Sequence, residues 1–361
     1  MLGEAMRPLL ALLVLVGMLL PARADKLVLV AGGGDGGDGS AAAQARLIQP
    51  FGVDFLGESL VFVEMAKGER LRQLDASGKV TTLAGMEGVK GNRGDGGPAA
   101  AATFNGLHSL AVGPDGCVYL ADTFNYRVRK YNPKTGTITA FAGTGQKGFA
   151  GDGGPAITAQ FGGVHCVAFD PDHTHLYLTD LDNRRIRKVN LKTGTVVTVA
   201  GNGEKGVPKD GEDATKQPLV DPRAHAVDRD GNLWILERGG HALRVVDAAG
   251  KIRTVAGTGK PGRGTGPALS AALNGPKHLC LDRDGTVLIA DSENHRIVRY
   301  SPKTGTLSAV AGTGTKGAAG VGGDPLQAEL AQPHGVHVHP TTGEIYIADS
   351  SNGRILKIIR D

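Results

Sequence analysis

Residues 104–143 read FNGLHSLAVGPDGCVYLADTFNYRVRKYNPKTGTITAFAG. Four runs inside it, LHSLAV, CVYLAD, YRVRKY and TITAFAG, are rich in β-branched and aromatic residues. The breaks GPDG, TFN and NPKTG supply the residue types that tight reversals need. Four antiparallel strands in about forty residues make one propeller blade.

Working outward, the same pattern recurs. Further copies occupy about 50–85, 164–201, 222–257 and 276–312, and a sixth begins at 333 and ends with the chain. The sixth, 333–361, has three strands, HGVHVHP, EIYIAD and RILKII, and lacks the closing TxxxAG strand of the others. An unpaired strand of that kind, KLVLVAG, lies at 26–32. Supplying it to the sixth blade predicts an all-β, six-bladed ring closed by its N-terminal strand, which leaves no open sheet edge.

Blades of the form P-x-G-h-A-h-D…G-x-h-Y-h-A-D-x-x-N-x-R-I-R-K (h, hydrophobic) resemble NHL repeats. Tyr119-Leu120-Ala121-Asp122 with Asn125 and Arg127 fits, as does Tyr346-Ile347-Ala348-Asp349 with Asn352 and Arg354. The GDGGPA connectors at 94–99 and 151–156 are similar to those of secreted bacterial NHL proteins. In blades one and four, Glu64 and Glu237 replace the Asp and the Asn turn is lost. The resemblance implies the fold; that fold hosts sensors, scaffolds, RNA binders and enzymes.

Residues 1–24 read as a cleaved secretory signal, with Arg7, an apolar run over 9–20 and Ala22-Arg23-Ala24 before Asp25. The propeller is then 25–361, exported to the periplasm, cell surface or exterior, with no membrane span after cleavage. A net charge of +4 without a basic block excludes nucleic acid. Three cysteines, one in each of three repeats, are no disulfide framework and read as small buried hydrophobes. In each AD…R motif, Asp satisfies turn amides and Arg pairs with it, a blade-building role. Asp95 and Asp152 read as turn residues of the connectors, with Pro98 and Pro155 opening short helical turns.

Each blade's first strand lines the channel, and the position after its usual Pro sits at the mouth. Across the blades that position holds Phe51, His108, His165, Arg223, Lys277 and His334. His225, His278, His337 and His339 share those strands, so seven of eleven histidines lie in the inner layer. Converging polar groups in a concavity predict a ligand site. Phe124, Tyr126, Asp95 and Asp152 are expected on the same face.

Two functions fit this mouth. The first is a non-catalytic binding or interaction scaffold for an anionic small molecule, peptide, glycan or extracytoplasmic protein. Arg223 and Lys277, on one arc, favour the anion. The second is a metal-dependent lyase or hydrolase. LHSLAV and QPHGVHV are similar to histidine motifs of peptidyl-hydroxyglycine amidating lyases, six-bladed proteins in which such histidines bind zinc. That resemblance implies His108 and His334 as zinc ligands with His165 as a third candidate; calcium, at the connector carboxylates Asp95 and Asp152, is the lesser metal. No Tyr or Arg here matches that family's catalytic pair by local motif.

Overall fold

A computed structural model describes residues 25–360. The signal expected at 1–24 falls outside the described residues. Among the described residues, no helix is long and apolar enough to cross a membrane.

The described chain forms six sheets arranged as a closed propeller. Blade two is typical: Leu107–Val112 is innermost, followed outward by Val118–Asp122, Arg127–Asn132 and Thr137–Ala142. The innermost strands of the other blades are Pro50–Leu56, Val164–Phe169, Pro222–Val227, His278–Leu281 and Gly335–Val338. Lys26–Gly32 pairs antiparallel with Arg354–Ile359, Lys26 opposite Ile359 and Gly32 opposite Arg354. The N-terminal strand therefore completes blade six, as the repeat arithmetic predicts.

Central strands such as Val118–Asp122 and Val287–Asp291 are buried along their whole length. Both faces of each sheet meet a neighbouring blade, so alternation gives way to continuous apolar runs. The core is accordingly a set of layers between blades. Between blades two and three, Tyr119, Ala121 and Val128 pack with Val164, Val167 and Leu178. Such layers need thin residues, hence a chain only 4% aromatic. The three cysteines are buried and unbridged within strands or beside them.

The recurring AG pair that ends each outer strand has a steric cause. Gly32, Gly85, Gly143, Gly201, Gly257 and Gly312 hold φ between +88° and +98°. A Cβ on Gly143 would lie 2.6 Å from the Tyr126 carbonyl oxygen, and one on Gly201 would lie 2.0 Å from that of Arg184. Only glycine fits where the outer strand crosses the turn into the third.

The connectors do more than turn. Gly97–Pro98 forms a two-residue strand on the outer strand of blade two, and Ser40–Ala41, Glu212–Asp213 and Gly266–Pro267 do the same on blades one, four and five. In blade six the amide of Leu27 bonds Gly323 O at 2.9 Å and Leu27 O accepts from Gly322 at 2.7 Å. Each of these outermost edges is thus partly capped. The helical turn does follow, at Ala99–Ala101, but Pro98 precedes it in extended conformation with no side-chain cap. Pairing to the edge strand holds Pro98 there, which corrects the helix-opening role expected of it.

Candidate functional site

The six mouth residues come together, and in blades one to four a local irregularity puts them there. Pairing of the first strand with the second shifts register between Pro50 and Val53, Leu107 and Leu110, Val164 and Cys166, and Pro222 and Ala224. The residues squeezed out include Phe51, His108, His165 and Arg223. A bulge of this kind re-aims a side chain and strengthens local twist. Phe51 stacks on His334 with centroids 3.8 Å apart and meets His108 edge-on at 5.4 Å. His108 lies 4.6 Å from His165, and Phe124 stands edge-on to both, at 5.6 and 6.3 Å. Blades six, one, two and three thus share an arc of aromatic and imidazole rings.

The three histidines on that arc are oriented alike. Nδ1 of His108, His165 and His334 lies 3.0, 3.2 and 3.0 Å from the carbonyl oxygen two residues earlier. A carbonyl only accepts, so Nδ1 carries the proton in each. His108 gives a second proof: Thr123 Oγ1, 2.9 Å from its Nδ1, spends its own hydrogen on Val164 O at 2.5 Å. Each ring therefore turns Nε2 outward as an acceptor, and none of the three Nε2 atoms bonds another group among the described residues. Burial, then the charge of Arg223, holds His108 well below the usual imidazole range. Burial, then Lys277 and Arg223, does the same at His334.

The other arc carries charge, unevenly balanced. Lys277 is neutralised by Glu293, Nζ to Oε1 2.8 Å, and Glu293 also accepts from Gln332 Nε2 at 2.9 Å. Arg238 is held by Asp221 at 2.8 Å. Arg223 is 6% exposed, and its Nη1 is buried with no hydrogen-bond partner among the described residues. Burial first, and the charge of Arg238 second, pull its guanidinium down to about 9, so it remains a cation near neutrality. The two cations expected on this arc thus differ. Glu293 removes Lys277 from the account because it occupies the turn position over the channel, a partner the inner strands alone do not reveal.

Around the mouth runs a repeated carboxylate framework. Asp122 accepts from the amide of Asn105 at 2.9 Å, from Asn125 Nδ2 at 2.9 Å and from Arg127 Nε at 3.3 Å. Asp180, Asp291 and Asp349 grip the amides of Gly162, Asn274 and Ala331, each at 2.7 Å. Each acid therefore fastens the connector entering its own blade. Asn125, Asn183, Asn294 and Asn352 reach back to a carbonyl of the same connector. Glu64 and Glu237, one methylene longer, bond the amides of Ile48 and Val220 and take Arg70, Arg72 and Arg244 directly. Asp95 and Asp152 are turn residues, as expected, and also belong to this framework. Asp95 binds Arg127 at 2.8 Å and Arg129 at 2.9 Å, and Asp152 binds Arg187 at 2.5 Å. The buried guanidiniums need a counter-charge, and the connector delivers it.

Free volume lies elsewhere. A cavity of about 450 Å³ is lined by the far halves of the inner strands, with Val53, Asp54, Leu110, Val167, His225 and His337 among its walls. None of the six mouth residues lines it. A second hollow of about 750 Å³ lies beyond it, among the hairpins of blades four and five, around Asp228, Trp234 and Asp282. Among the described residues, no three of His, Cys, Asp and Glu are placed to hold a metal ion. Phe51, stacked on His334, stands between that ring and the His108–His165 pair.

The NHL repeat family matches residues 273–300 and 330–358, and the teneurin NHL domain family matches 164–261. The chain is an NHL-repeat β-propeller. Suppressor of quenching 1, a chloroplastic protein of Arabidopsis thaliana, is 28% identical to this propeller over 260 residues, 67% of the chain. Bovine NHL repeat-containing protein 2 is 26% identical over 286 residues, 70% of the chain. The chain spans 24% and 39% of those two proteins. A Bacteroides ovatus protein described as an auxiliary nutrient-binding protein superposes with a TM-score of 0.68 at 16% identity, covering 94% of this NHL propeller and 77% of that chain. At that identity the likeness concerns the fold.

Proposed function

We propose that this NHL propeller is an exported binding scaffold that takes an anionic ligand over its channel mouth. One observation carries the reading: among the described residues Arg223 is buried near the mouth histidines without a carboxylate, while the neighbouring Arg238 and Lys277 each have one. Leaving a buried charge uncompensated costs several kcal/mol. A ligand carboxylate, sulfate or phosphate would supply the missing counter-charge, and the planar guanidinium suits such groups bidentately. The signal-like residues 1–24 support export, and the nutrient-binding description of a protein with the same fold agrees with a carrier of small molecules.

The test is calorimetric binding of sulfate, phosphate and simple carboxylates to the chain beginning at Asp25. Arg223→Ala is expected to weaken binding by about 2–4 kcal/mol with the fold intact. Binding indifferent to Arg223→Ala would move the site away from the mouth. Export is tested by N-terminal sequencing of the protein recovered from the cell exterior or periplasm, with Asp25 as the expected first residue.

A further inference from the structure

Resting on that reading, we infer that the anion at Arg223 is a polyhydroxylated carboxylate, of the kind an oxidised sugar presents. The mouth offers two complementary sets of groups. One is the Arg223 guanidinium, a fork of donors that demands an acceptor. The other is the row of outward Nε2 acceptors on His108, His165 and His334, each fixed by the carbonyl that holds its Nδ1 proton. A plain carboxylate satisfies the first set and leaves the second unpaired. The ligand must therefore also carry donors.

Hydroxyls fit those acceptors better than an ammonium group does. Asp221 and Glu293 are already committed to Arg238 and Lys277, so Arg223 leaves the mouth with the field of an unbalanced positive charge. A second positive charge on the ligand would enter that field without a partner. Neutral O–H donors enter it freely. The arc is also shaped for a ring: Phe124, 42% exposed, stands over His108 and His165 and presents an apolar face to the C–H side of a sugar. Gly106 leaves room for that ring, because a Cβ there would fall 2.4 Å from Phe124 Cδ2.

The experiment compares glucuronate, cyclohexanecarboxylate and glucose by isothermal titration against the wild-type chain and three variants. Glucuronate is expected to bind at least tenfold more tightly than cyclohexanecarboxylate, and glucose more weakly than either. His108→Phe should reduce that preference to within about threefold, His108→Gln, which keeps an acceptor, should restore most of it, and Arg223→Ala should abolish binding of both acids. Equal, Arg223-dependent affinity for the two acids would overturn the hydroxyl assignment while leaving the anion site standing. No Arg223-dependent binding of any anion would overturn both. Circular dichroism of each variant separates loss of contact from loss of fold.

Discussion

Ser350 Oγ donates a 2.5 Å hydrogen bond to the carbonyl oxygen of Pro50, a residue 300 positions earlier in the chain. It joins the sixth blade to the first at the inner layer, as Thr123 joins blade two to three through Val164 O and Ser292 joins five to six through Pro333 O. The ring is thus stapled near its axis as well as zipped at its rim.

Ser350→Ala should destabilise the propeller by about 1–3 kcal/mol, because the Pro50 carbonyl is left buried and unmet. Chemical denaturation read by circular dichroism checks the value. A loss below about 0.5 kcal/mol would show that water replaces the hydroxyl.

Removing residues 25–32 strips the partner from Arg354–Ile359 and frees the Gly322–Gly323 cap. The expected loss is several kcal/mol, with self-association through the bared edge. Thermal melts against the chain beginning at Asp25 decide it. A truncated form that melts within a degree of that chain would refute closure by the N-terminal strand.

Glu237 holds both the Val220 amide and the Arg244 guanidinium inside blade four. Glu237→Ala should cost about 3–5 kcal/mol, since a buried charge loses its partner. Glu237→Ala combined with Arg244→Met should recover much of that loss, which a double-mutant cycle measures directly.

Arg223→Met is expected to act in the opposite direction, raising the ligand-free melting point. It removes a buried, unpaired cation and fills the space with apolar atoms, a change worth about 1–3 kcal/mol. The same variant should no longer be stabilised by anions in a thermal-shift series.

His225 gives a pH signature. It is 1% exposed, bonded through Nδ1 to Thr179 Oγ1 at 2.7 Å, and burial pulls its imidazole down to about 3. Its folded value lies below the unfolded one, so the unfolded chain binds the proton first. Its contribution is present above about pH 6.5 and is lost as pH falls, amounting to about 2 kcal/mol at about pH 5. Asp180, raised to about 6 by burial, works with the opposite sign over the same window. The wild type should therefore be compared with His225→Gln, whose stability is expected to fall less between about pH 7 and about pH 5.

The blade count, the closing strand and the identity of the mouth residues are legible in the sequence because repetition marks them. A position that varies where its neighbours repeat stands out, and in blades one to four a register shift falls at that position. The pairing of Lys277 with Glu293 was not legible from the inner strands. It depends on a turn reaching over the channel, which becomes visible only when SEN at 292–294 is placed at the same height as TFN at 123–125. Asp95 and Asp152 are the turn residues that their Gly-rich stretch signals, but nothing local reveals that each carboxylate also serves a guanidinium more than thirty residues later. In blades two, five and six, by contrast, Asp and Arg pair as their spacing suggests, whereas in blade three Arg185 turns to the carbonyls of Asn183 and Asn202.

The acid of each blade clamps only the segment entering that blade, and all six clamps lie toward the mouth. The hairpins at the far end are held differently: turns such as Gly113–Gly116 and Asp228–Gly231 close on themselves, and Arg283 ties the blade-five hairpin to the carbonyls of His339 and Pro340 in blade six. The two ends of the molecule are consequently free to diverge at different rates. Descendants of this chain can lengthen or exchange the far hairpins, gaining new neighbours there, while the clamped end is inherited nearly unchanged.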